Sequence, residues 1–401
     1  MSSPLTSLKI LDFSTLLPGP YATMMLADLG AEVLRIEAPG RPELTRMFPP
    51  FDADGNSSQH AMLNRSKRSL GLNLKAEGAT DIVKKLISDQ GYNIVIEQFR
   101  PGVMDRLGVG YDTLKAVCPD LIFCSLTGYG QDGPFRDRAG HDVNYLALSG
   151  LLSYYGRAGE APPPLPMQVA DVGAGSLNMV IGLLASVIRR TATGEGGTVD
   201  ISMHDGSLAW NNIGAANTIV SGGHSPSQES TALNGGSFYD LYKTKDGRLL
   251  SVGSLEPKFW SGFCQAIGRE DLFKTGTNYD VAIQKTIKPE IQAAILEKTL
   301  AEWVEIFAKL DVCVEPVLTT AESLEHPHTV ARNMLVDVPM RDGTPQQQIG
   351  TPIKLSNHEP EYKFTGTALG MHSKEILSEL GYTDDEIEAF YSSNMVAGGS
   401  H

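Results

Sequence analysis

Short apolar runs alternate with helical patterns along the first half of the chain, and this alternation constrains the fold more than any other feature. The predicted strands lie at 8–13, 33–36, 69–74, 93–97, 121–126 and 198–201. A helix begins at Pro18 and ends near Gly30, and further helical patterns lie at 77–90 and 111–117. Strands that alternate with helices indicate a parallel sheet with helices on both faces. We therefore expect an α/β fold.

The composition turns to Gly, Ser and Pro near residue 221, where we place a linker. We expect a large α/β domain at 1–220, the linker at 221–236, a smaller α+β domain at 237–331 and a C-terminal segment at 332–401. Lys245-Asp246-Gly247 lies between two apolar runs of the smaller domain and predicts a hairpin. No GxGxxG or Walker A motif is present, so the α/β domain carries no phosphate loop of the nucleotide-cofactor type.

Composition excludes several broad functions. The chain has 401 residues with a net charge of −14, which argues against general binding to nucleic acid or to an anionic membrane surface. No uninterrupted apolar run approaches the ~18 residues of a membrane span, and we expect no signal peptide, because the residues before the first strand have no charged and apolar regions of that type. The four cysteines have no metal-ligand spacing and are predicted to be small buried hydrophobes. We expect a cytoplasmic protein without a metal.

Two groups suited to proton transfer, His141 and Asp171, each precede an apolar run of helical character. Side chains ahead of two buried helices converge on a site more readily than side chains on helix flanks. Each residue also has a plain structural interpretation, because His141 can cap a helix or bond within the core and Asp171 can be an N-cap. Glu256, followed by Pro257, can likewise simply begin a helix.

Basic residues form a second group of candidates. Arg65, Lys67 and Arg68 precede one predicted strand and Arg100 follows another, while the glycines of 126–134 allow a ligand close to the backbone. In open α/β sheets, ligands bind beyond the carboxyl ends of the strands, where arginine side chains can hold a phosphate. The alternative is a solvated basic turn without a ligand.

Several long stretches, in the same order along the chain, resemble the family III CoA-transferases of the CaiB/BaiF type over roughly residues 6–355. Within that family the sequence is most similar to the alpha-methylacyl-CoA racemases. The resembling stretches are LLPGPYATMMLADLGAEVLRIE, NRSKRSLGLNLK, EQFRPGVMDRLGVGYDTL, LTGYGQDGP, AGHDVNYLALSG, VADVGAGS and VGSLEPKFW.

The resemblance implies a Rossmann-like large domain, built from the N- and C-terminal segments, plus a smaller α+β domain. It also implies an acyl-CoA thioester as substrate, no organic cofactor and no metal. The partner would be a second copy of the chain in an interlocked homodimer, whose active site lies where the large domain meets the partner's small domain. Neither nucleic acid nor a membrane is expected as a partner.

The resemblance also assigns residues. Asp171 matches the acidic residue of the family, His141 the racemase histidine, and Glu256 the glutamate that supports this histidine. The candidate CoA-binding residues are Arg35, Arg65, Lys67, Arg68, Arg100, Arg106, Gly128, Tyr129 and Gly130.

These assignments lead to one leading hypothesis and two alternatives. In a racemase, His141 and Asp171 exchange the α-proton of a 2-methylacyl-CoA through an enolate, whose oxygen is bound by N–H groups at the start of the helix near Gly173. In a CoA-transferase, Asp171 instead attacks the thioester and forms a covalent intermediate. A protein that only binds CoA esters would do neither.

Overall fold

The computed structural model describes residues 3–41 and 43–399. The strands are β1 Lys9–Asp12, β2 Glu32–Glu37, β3 Lys67–Leu72, β4 Ile94–Glu97, β5 Ile122–Thr127, β6 Gly197–Ser202, β7 Tyr239–Lys243, β8 Leu249–Gly253, β9 Val314–Pro316, β10 Leu335–Pro339, β11 Pro345–Ile349 and β12 Val396–Ala397. The α-helices are α1 Pro18–Asp28, α2 Ser58–Leu63, α3 Ala79–Ser88, α4 Val103–Arg106, α5 Tyr111–Lys115, α6 Asp142–Leu148, α7 Asn178–Thr193, α8 Met203–Trp210, α9 Asn212–Val220, α10 Ala232–Gly235, α11 Pro257–Ala266, α12 Phe273–Gly276, α13 Val281–Ile295, α14 Leu300–Phe307, α15 Thr320–Glu325, α16 Pro327–Ala331, α17 Ser373–Glu379 and α18 Asp384–Ser392.

The large sheet has the strand order β12-β3-β2-β1-β4-β5-β6, in which β12 alone is antiparallel to its neighbour. The six parallel strands therefore follow the order of a Rossmann-type doubly wound sheet, and the direction of winding changes between β1 and β4. This confirms the predicted α/β fold and its parallel sheet. A ligand site is expected outside the carboxyl ends of β1 and β4, because the connections from these strands diverge there.

The predicted strands of this sheet are confirmed with small shifts in their ends. β4 and β5 are buried at every position, as expected for strands covered on both faces. The core around the sheet includes Leu11, Leu34, Leu70, Val95 and Phe123.

The cysteines only partly follow their predicted burial. Cys124 and Cys264 are buried, Cys118 is intermediate, and Cys313 is exposed.

The chain divides into two compact units. The first contains the described residues up to Ser149, Leu165–Trp210 and the residues from His328 onwards, and the second contains Gly150–Pro164 and Asn211–Pro327. The sequence-based boundaries differ, because the composition change near residue 221 lies inside the second unit and not at its start. Segment 150–164 joins this unit through Arg157, whose guanidinium pairs with Asp240 and Glu229.

The second unit is a small α+β structure. Its antiparallel sheet has the order β7-β8-β9, and the predicted hairpin joins β7 to β8 with Gly247 at φ +78°. The aromatic rings of Trp260, Phe263, Trp303 and Phe307 lie together in its core, where Phe263 and Phe307 stack at 6.0 Å.

A continuous helical segment, Val169–Thr193, joins a π-helix to α7. Its length and composition would allow it to cross a membrane, a test that core helices of soluble proteins also pass. The sequence prediction considered only uninterrupted apolar runs, and Asn178 interrupts the run in this segment. The absence of a membrane partner stays a prediction.

Candidate active site

A cavity of about 200 Å³ lies in the first unit at the carboxyl ends of β1, β4 and β5. Its wall contains Leu16 and Pro18 after β1, residues 98–101 after β4, and residues 126–129 around the end of β5. The other lining residues are Arg136, Arg138, Ala139, Gly140, His141, Tyr145, Asp171 and Met203. The cavity therefore occupies the place where the sheet reverses its winding, as the parallel order requires of a ligand site.

His141 lies on the cavity wall at the start of α6. Its backbone is extended, with φ −130°, and its N–H donates a hydrogen bond to Oδ1 of Asn144 at 3.0 Å. The residue thus has the helix-cap role of its plain structural interpretation, and it is also exposed on the wall of the cavity. The two interpretations are compatible because a residue that begins a helix can also border a cavity.

Asp171 lines the same cavity, in a π-helix that spans Val169–Leu177. π-Helical turns are rare and often lie at functional sites. Gly173 is required here, since a Cβ at this position would lie 2.0 Å from the ring of Trp210. This close approach brings α8 against the helix that carries Asp171.

Asp142 links these two elements, and the sequence analysis overlooked it. Its Oδ1 accepts hydrogen bonds from the N–H groups of Ala170 at 2.6 Å and Asp171 at 3.0 Å. The first residue of α6 is therefore bonded to the first turn of the π-helix, which fixes the backbone of His141 relative to that of Asp171. The available signal was a second carboxylate directly after the candidate histidine.

The N–H groups predicted to bind an enolate oxygen already have acceptors. Those of Ala170 and Asp171 bond to Asp142, and the N–H of Val172 donates to the carbonyl of Gln168 at 3.0 Å. These three groups are therefore not open donors for a substrate oxygen. The partial positive charge of the helix start stabilises Asp142 instead.

The carboxyl of Asp171 is prepared for proton transfer. Burial raises its pKa to about 7, and the nearby negative charge of Asp142 acts in the same direction. Both the acid and the carboxylate are therefore populated near neutral pH, which suits a group that must accept and return a proton.

Asp142→Asn is expected to lower the pKa of Asp171. The amide keeps an oxygen that can accept the two N–H groups, but it removes the negative charge that opposes ionisation of Asp171. Titration of the labelled Asp171 carboxyl carbon by ¹³C NMR should show a midpoint below that of the unsubstituted protein. An unchanged or higher midpoint would show that burial alone sets the pKa.

Tight packing shapes the wall between β5 and α6. Tyr145 is buried, and its hydroxyl donates to the carbonyl of Gly140 at 2.5 Å. A Cβ on Gly128 would lie 2.6 Å from the Tyr145 ring, and one on Gly140 would lie 2.7 Å from it. Tyr129 packs edge-on against the same ring at 5.3 Å. Glycine is needed at both positions because the ring is held in place.

Gly128→Ala is expected to destabilise the protein by about 1–3 kcal/mol, because the added methyl overpacks against a ring that cannot move. The measurement is the midpoint of thermal unfolding. Gly253→Ala is the matched control, since its added methyl would lie 3.8 Å from Tyr239 in ordinary contact. Equal unfolding midpoints for the two variants would contradict the packing argument.

The start of α1 is tied to both neighbouring parts of the wall. The N–H of Gly19 donates to Oε1 of Gln98 at 3.1 Å, and the hydroxyl of Ser176 donates to the carbonyl of Pro18 at 2.6 Å. Ser176 belongs to the π-helix, so the first turn of α1 is joined to the element that carries Asp171. Gln98 was not singled out from the sequence.

Three arginines line the cavity. Arg100 was a candidate, whereas Arg136 and Arg138 were not. Arg138 lies over the ring of Phe135 at 4.5 Å from its centroid. Of the remaining candidates near this wall, Gly128 and Tyr129 line the cavity, and Gly130 contributes a turn with φ +85° whose N–H donates to the Thr127 hydroxyl.

Three of the candidate cations are buried in the protein interior. Arg35, Arg65 and Lys67 are each at most 2% exposed. Arg65 pairs with Asp28 at 2.6 Å, Arg35 pairs with Glu43, and Lys67 donates to a main-chain carbonyl at 2.9 Å. None of them lines the cavity. Arg65 precedes β3 and so lies at the amino-terminal edge of the sheet, whereas the cavity lies at the carboxyl-terminal edge.

The other candidates lie elsewhere. Arg68 pairs with Glu379 at 2.9 Å, and Arg106 is exposed on α4. Glu256 is the residue before α11 in the second unit, with Pro257 at the first helical position as its structural interpretation requires. Its support of His141 stays a prediction. Among residues 3–41 and 43–399, no group of three His, Cys, Asp or Glu side chains could hold a metal ion.

Comparison with known proteins adds the context for this geometry. A sequence model described as CoA-transferase family III matches residues 5–373. The alpha-methylacyl-CoA racemase of Homo sapiens is 33% identical over 98% of this chain and 97% of its own length. The succinyl-CoA:mesaconate CoA-transferase of Haloarcula marismortui is 31% identical over 94% and 96%. The crystal structure of a CAIB/BAIF family protein from Brucella suis superposes with a TM-score of 0.83 at 26% identity, covering 95% of this chain and 100% of that one.

Proposed function

Since the chain belongs to CoA-transferase family III, we propose that it is an acyl-CoA racemase that inverts the α-carbon of a 2-methylacyl-CoA thioester. The observation that carries this proposal is that His141 and Asp171 line one cavity and that Asp142 bonds the start of α6 to the backbone of Asp171. Two proton-transfer groups at one site suit a reaction in which a proton leaves one face of a carbon and returns to the other.

The reaction proceeds through an enolate. One group removes the α-proton, the electron pair of the C–H bond moves into the enolate, and the conjugate acid of the other group returns a proton to the opposite face. Asp171 acts as the base for one epimer and His141 for the other. The raised pKa of Asp171 supports this role, because a carboxyl that titrates near pH 7 can act as base in one direction and as acid in the other.

Binding of the CoA portion is assigned to the arginines of the cavity. Arg100, Arg136 and Arg138 supply guanidinium groups on the wall that carries His141 and Asp171. Guanidinium groups pair with phosphate oxygens through two parallel hydrogen bonds. The buried Arg35, Arg65 and Lys67 are not part of this proposal, since their charges are compensated inside the protein.

Proton NMR of a 2-methylacyl-CoA in deuterated water tests the proposal. With enzyme and no added carboxylic acid, we expect loss of the α-proton signal together with appearance of the other epimer. Exchange without inversion would remove the two-base mechanism. Absence of both exchange and inversion over a panel of 2-methylacyl-CoA thioesters would refute the racemase.

CoA transfer is the second candidate, and the transferase relatives favour it because they are similar over nearly the whole chain. In this reaction the carboxylate of Asp171 attacks the thioester carbonyl, an acyl anhydride forms, and CoA leaves as a thiolate. The thiolate then attacks the Asp171 carbonyl of the anhydride, which releases the donor carboxylate and leaves a CoA thioester on Asp171. The acceptor carboxylate attacks this thioester, and the thiolate that leaves then attacks the acceptor's carbonyl in the new anhydride, which gives the new acyl-CoA and frees Asp171. A mass increase on Asp171 after trapping with hydroxylamine, or a mass decrease after reduction with borohydride, would support this chemistry and would not occur in a racemase.

We further propose that the enzyme acts as an interlocked homodimer without organic cofactor or metal, in the cytoplasm, and without nucleic-acid or membrane partners. Exposed apolar side chains on α7, such as Ile181 at 65% and Ile188 at 70%, support a covering partner. Light scattering should give twice the chain mass of 43.2 kDa. Retention of activity after treatment with a chelator tests the absence of a metal. Cell fractionation tests the cytoplasmic location.

A further inference from the structure

Leu16 is an unusual residue on the cavity wall. Its φ is +59°, in the left-handed region of the backbone that residues other than glycine, asparagine and aspartate rarely adopt. It lies in the loop between β1 and α1, at the point where the sheet reverses its winding. Such a conformation persists only where the surroundings hold it, and it occurs often at ligand sites.

Glu43 holds this conformation. Its Oε1 accepts the hydrogen bond of the Leu16 N–H at 2.6 Å, and its Oε2 pairs with the guanidinium of Arg35. Glu43 is 6% exposed and Arg35 is 2% exposed, so both charges lie in the interior. Arg35 belongs to β2, the neighbour of β1, which anchors the pair to the sheet.

Arg35 is the cation that compensates Glu43. The ring of His60 also lies 3.9 Å from the Glu43 carboxylate, but burial and the neighbouring guanidinium groups of Arg46 and Arg35 lower the pKa of His60 to about 2. His60 is therefore neutral. A buried carboxylate with one cation on Oε2 and one main-chain donor on Oε1 is a rigid attachment point for a loop.

We infer that Glu43, fixed by Arg35, is a positioning residue that holds Leu16 in the left-handed conformation and thereby shapes the wall of the cavity that receives the CoA thioester. Glu43 does not line the cavity, so it acts through Leu16. The inference rests on the proposed function for the identity of the ligand only. It also gives Arg35, a candidate CoA-binding residue from the sequence, a role inside the protein.

The test compares binding of propionyl-CoA by calorimetry with amide hydrogen exchange of Leu16. Glu43→Ala should accelerate exchange at Leu16 and raise Kd about 10-fold to 100-fold, because the wall loses its fixed position. Glu43→Gln keeps an oxygen that can accept the Leu16 N–H, so its Kd should lie between those of the unsubstituted protein and the alanine variant. Asp240→Asn, which weakens the ion pairs of Asp240 with Arg157 and Lys288 in the second unit, is the control and should leave Leu16 exchange unchanged.

A double-substitution cycle separates positioning from general loss of stability. In a Leu16→Gly background, Glu43→Ala should have almost no further effect on Kd, because the leucine side chain that Glu43 positions is already absent. Additive effects would overturn the inference. So would a Glu43→Ala protein that binds propionyl-CoA as tightly as the unsubstituted one.

The failure of the proposed function is distinguishable from the failure of this inference. If the unsubstituted protein does not bind propionyl-CoA, the proposed function fails. Amide hydrogen exchange at Leu16 still shows whether Glu43 holds this residue in place. If Glu43→Ala does not fold, the glutamine variant and Leu16→Gly provide the same comparison. Unchanged Leu16 exchange in every Glu43 variant that folds would overturn the inference.

Discussion

For the epimer whose α-proton Asp171 removes, Asp171→Asn is expected to lower the rate of α-proton exchange by about 10²–10⁴-fold, the usual contribution of a general acid–base group. The amide has nearly the shape of the carboxyl but cannot accept the proton. The π-helix and the hydrogen bond from the Asp171 N–H to Asp142 do not involve the side chain, so the site should keep its geometry. The measurement is the exchange rate of a 2-methylacyl-CoA in deuterated water, with Kd determined in parallel.

Asp132→Asn is the matched control for this substitution. Asp132 is exposed in the loop after β5 and does not line the cavity, so its loss of charge should leave the exchange rate unchanged. An Asp171→Asn protein with full activity would remove Asp171 from either mechanism, since the racemase needs it as a base and the transferase needs it as a nucleophile.

His141→Asn is expected to depress racemisation by about 10²–10⁴-fold while leaving CoA transfer intact, if transfer occurs. Asparagine is a favourable N-cap residue, so α6 should begin at the same position without the imidazole. The two epimers should respond differently. The epimer whose proton Asp171 removes should still exchange with deuterium but should no longer be inverted, because the second group is missing.

Stereochemical analysis of the deuterated product checks this expectation, with the exposed His224→Asn as control. Equal loss of exchange from both epimers would contradict a division of labour between the two groups. Retained racemisation in the His141→Asn protein would leave Asp171 as the only proton-transfer group and would refute the two-base mechanism.

The fold of the first unit was largely predictable from local patterns. The runs that became β4 and β5 are mostly apolar, with Glu97, Ser125 and Thr127 as the polar residues, and both strands are buried at every position. Their alternation with helices such as α3 and α5 predicts a parallel sheet. Interior strands between helices need a near-continuous apolar sequence. The pattern within one short segment is therefore enough to predict such a strand.

The candidate site was predictable only in part. His141, Asp171, Arg100, Gly128 and Tyr129 line one cavity. Residues that act through another residue gave weaker signals. For Asp142 the sequence offers only its place directly after His141, and its role follows from its bond to the Asp171 N–H, as that of Glu43 follows from its bond to Leu16.

The sequence by itself determined which segments are strands and helices and which residue types can carry proton transfer, because both depend on residues close together in the chain. Only the tertiary structure decided which charges face the cavity. Arg35 and Arg100 each lie at or just beyond a strand of one sheet, yet the first is buried against Glu43 and the second lines the cavity. A cation that is removed from water must be compensated by a nearby carboxylate. The position of that carboxylate is set by residues far away in sequence. The π-helix that carries Asp171 is likewise held from a distance, by Asp142 at its first turn.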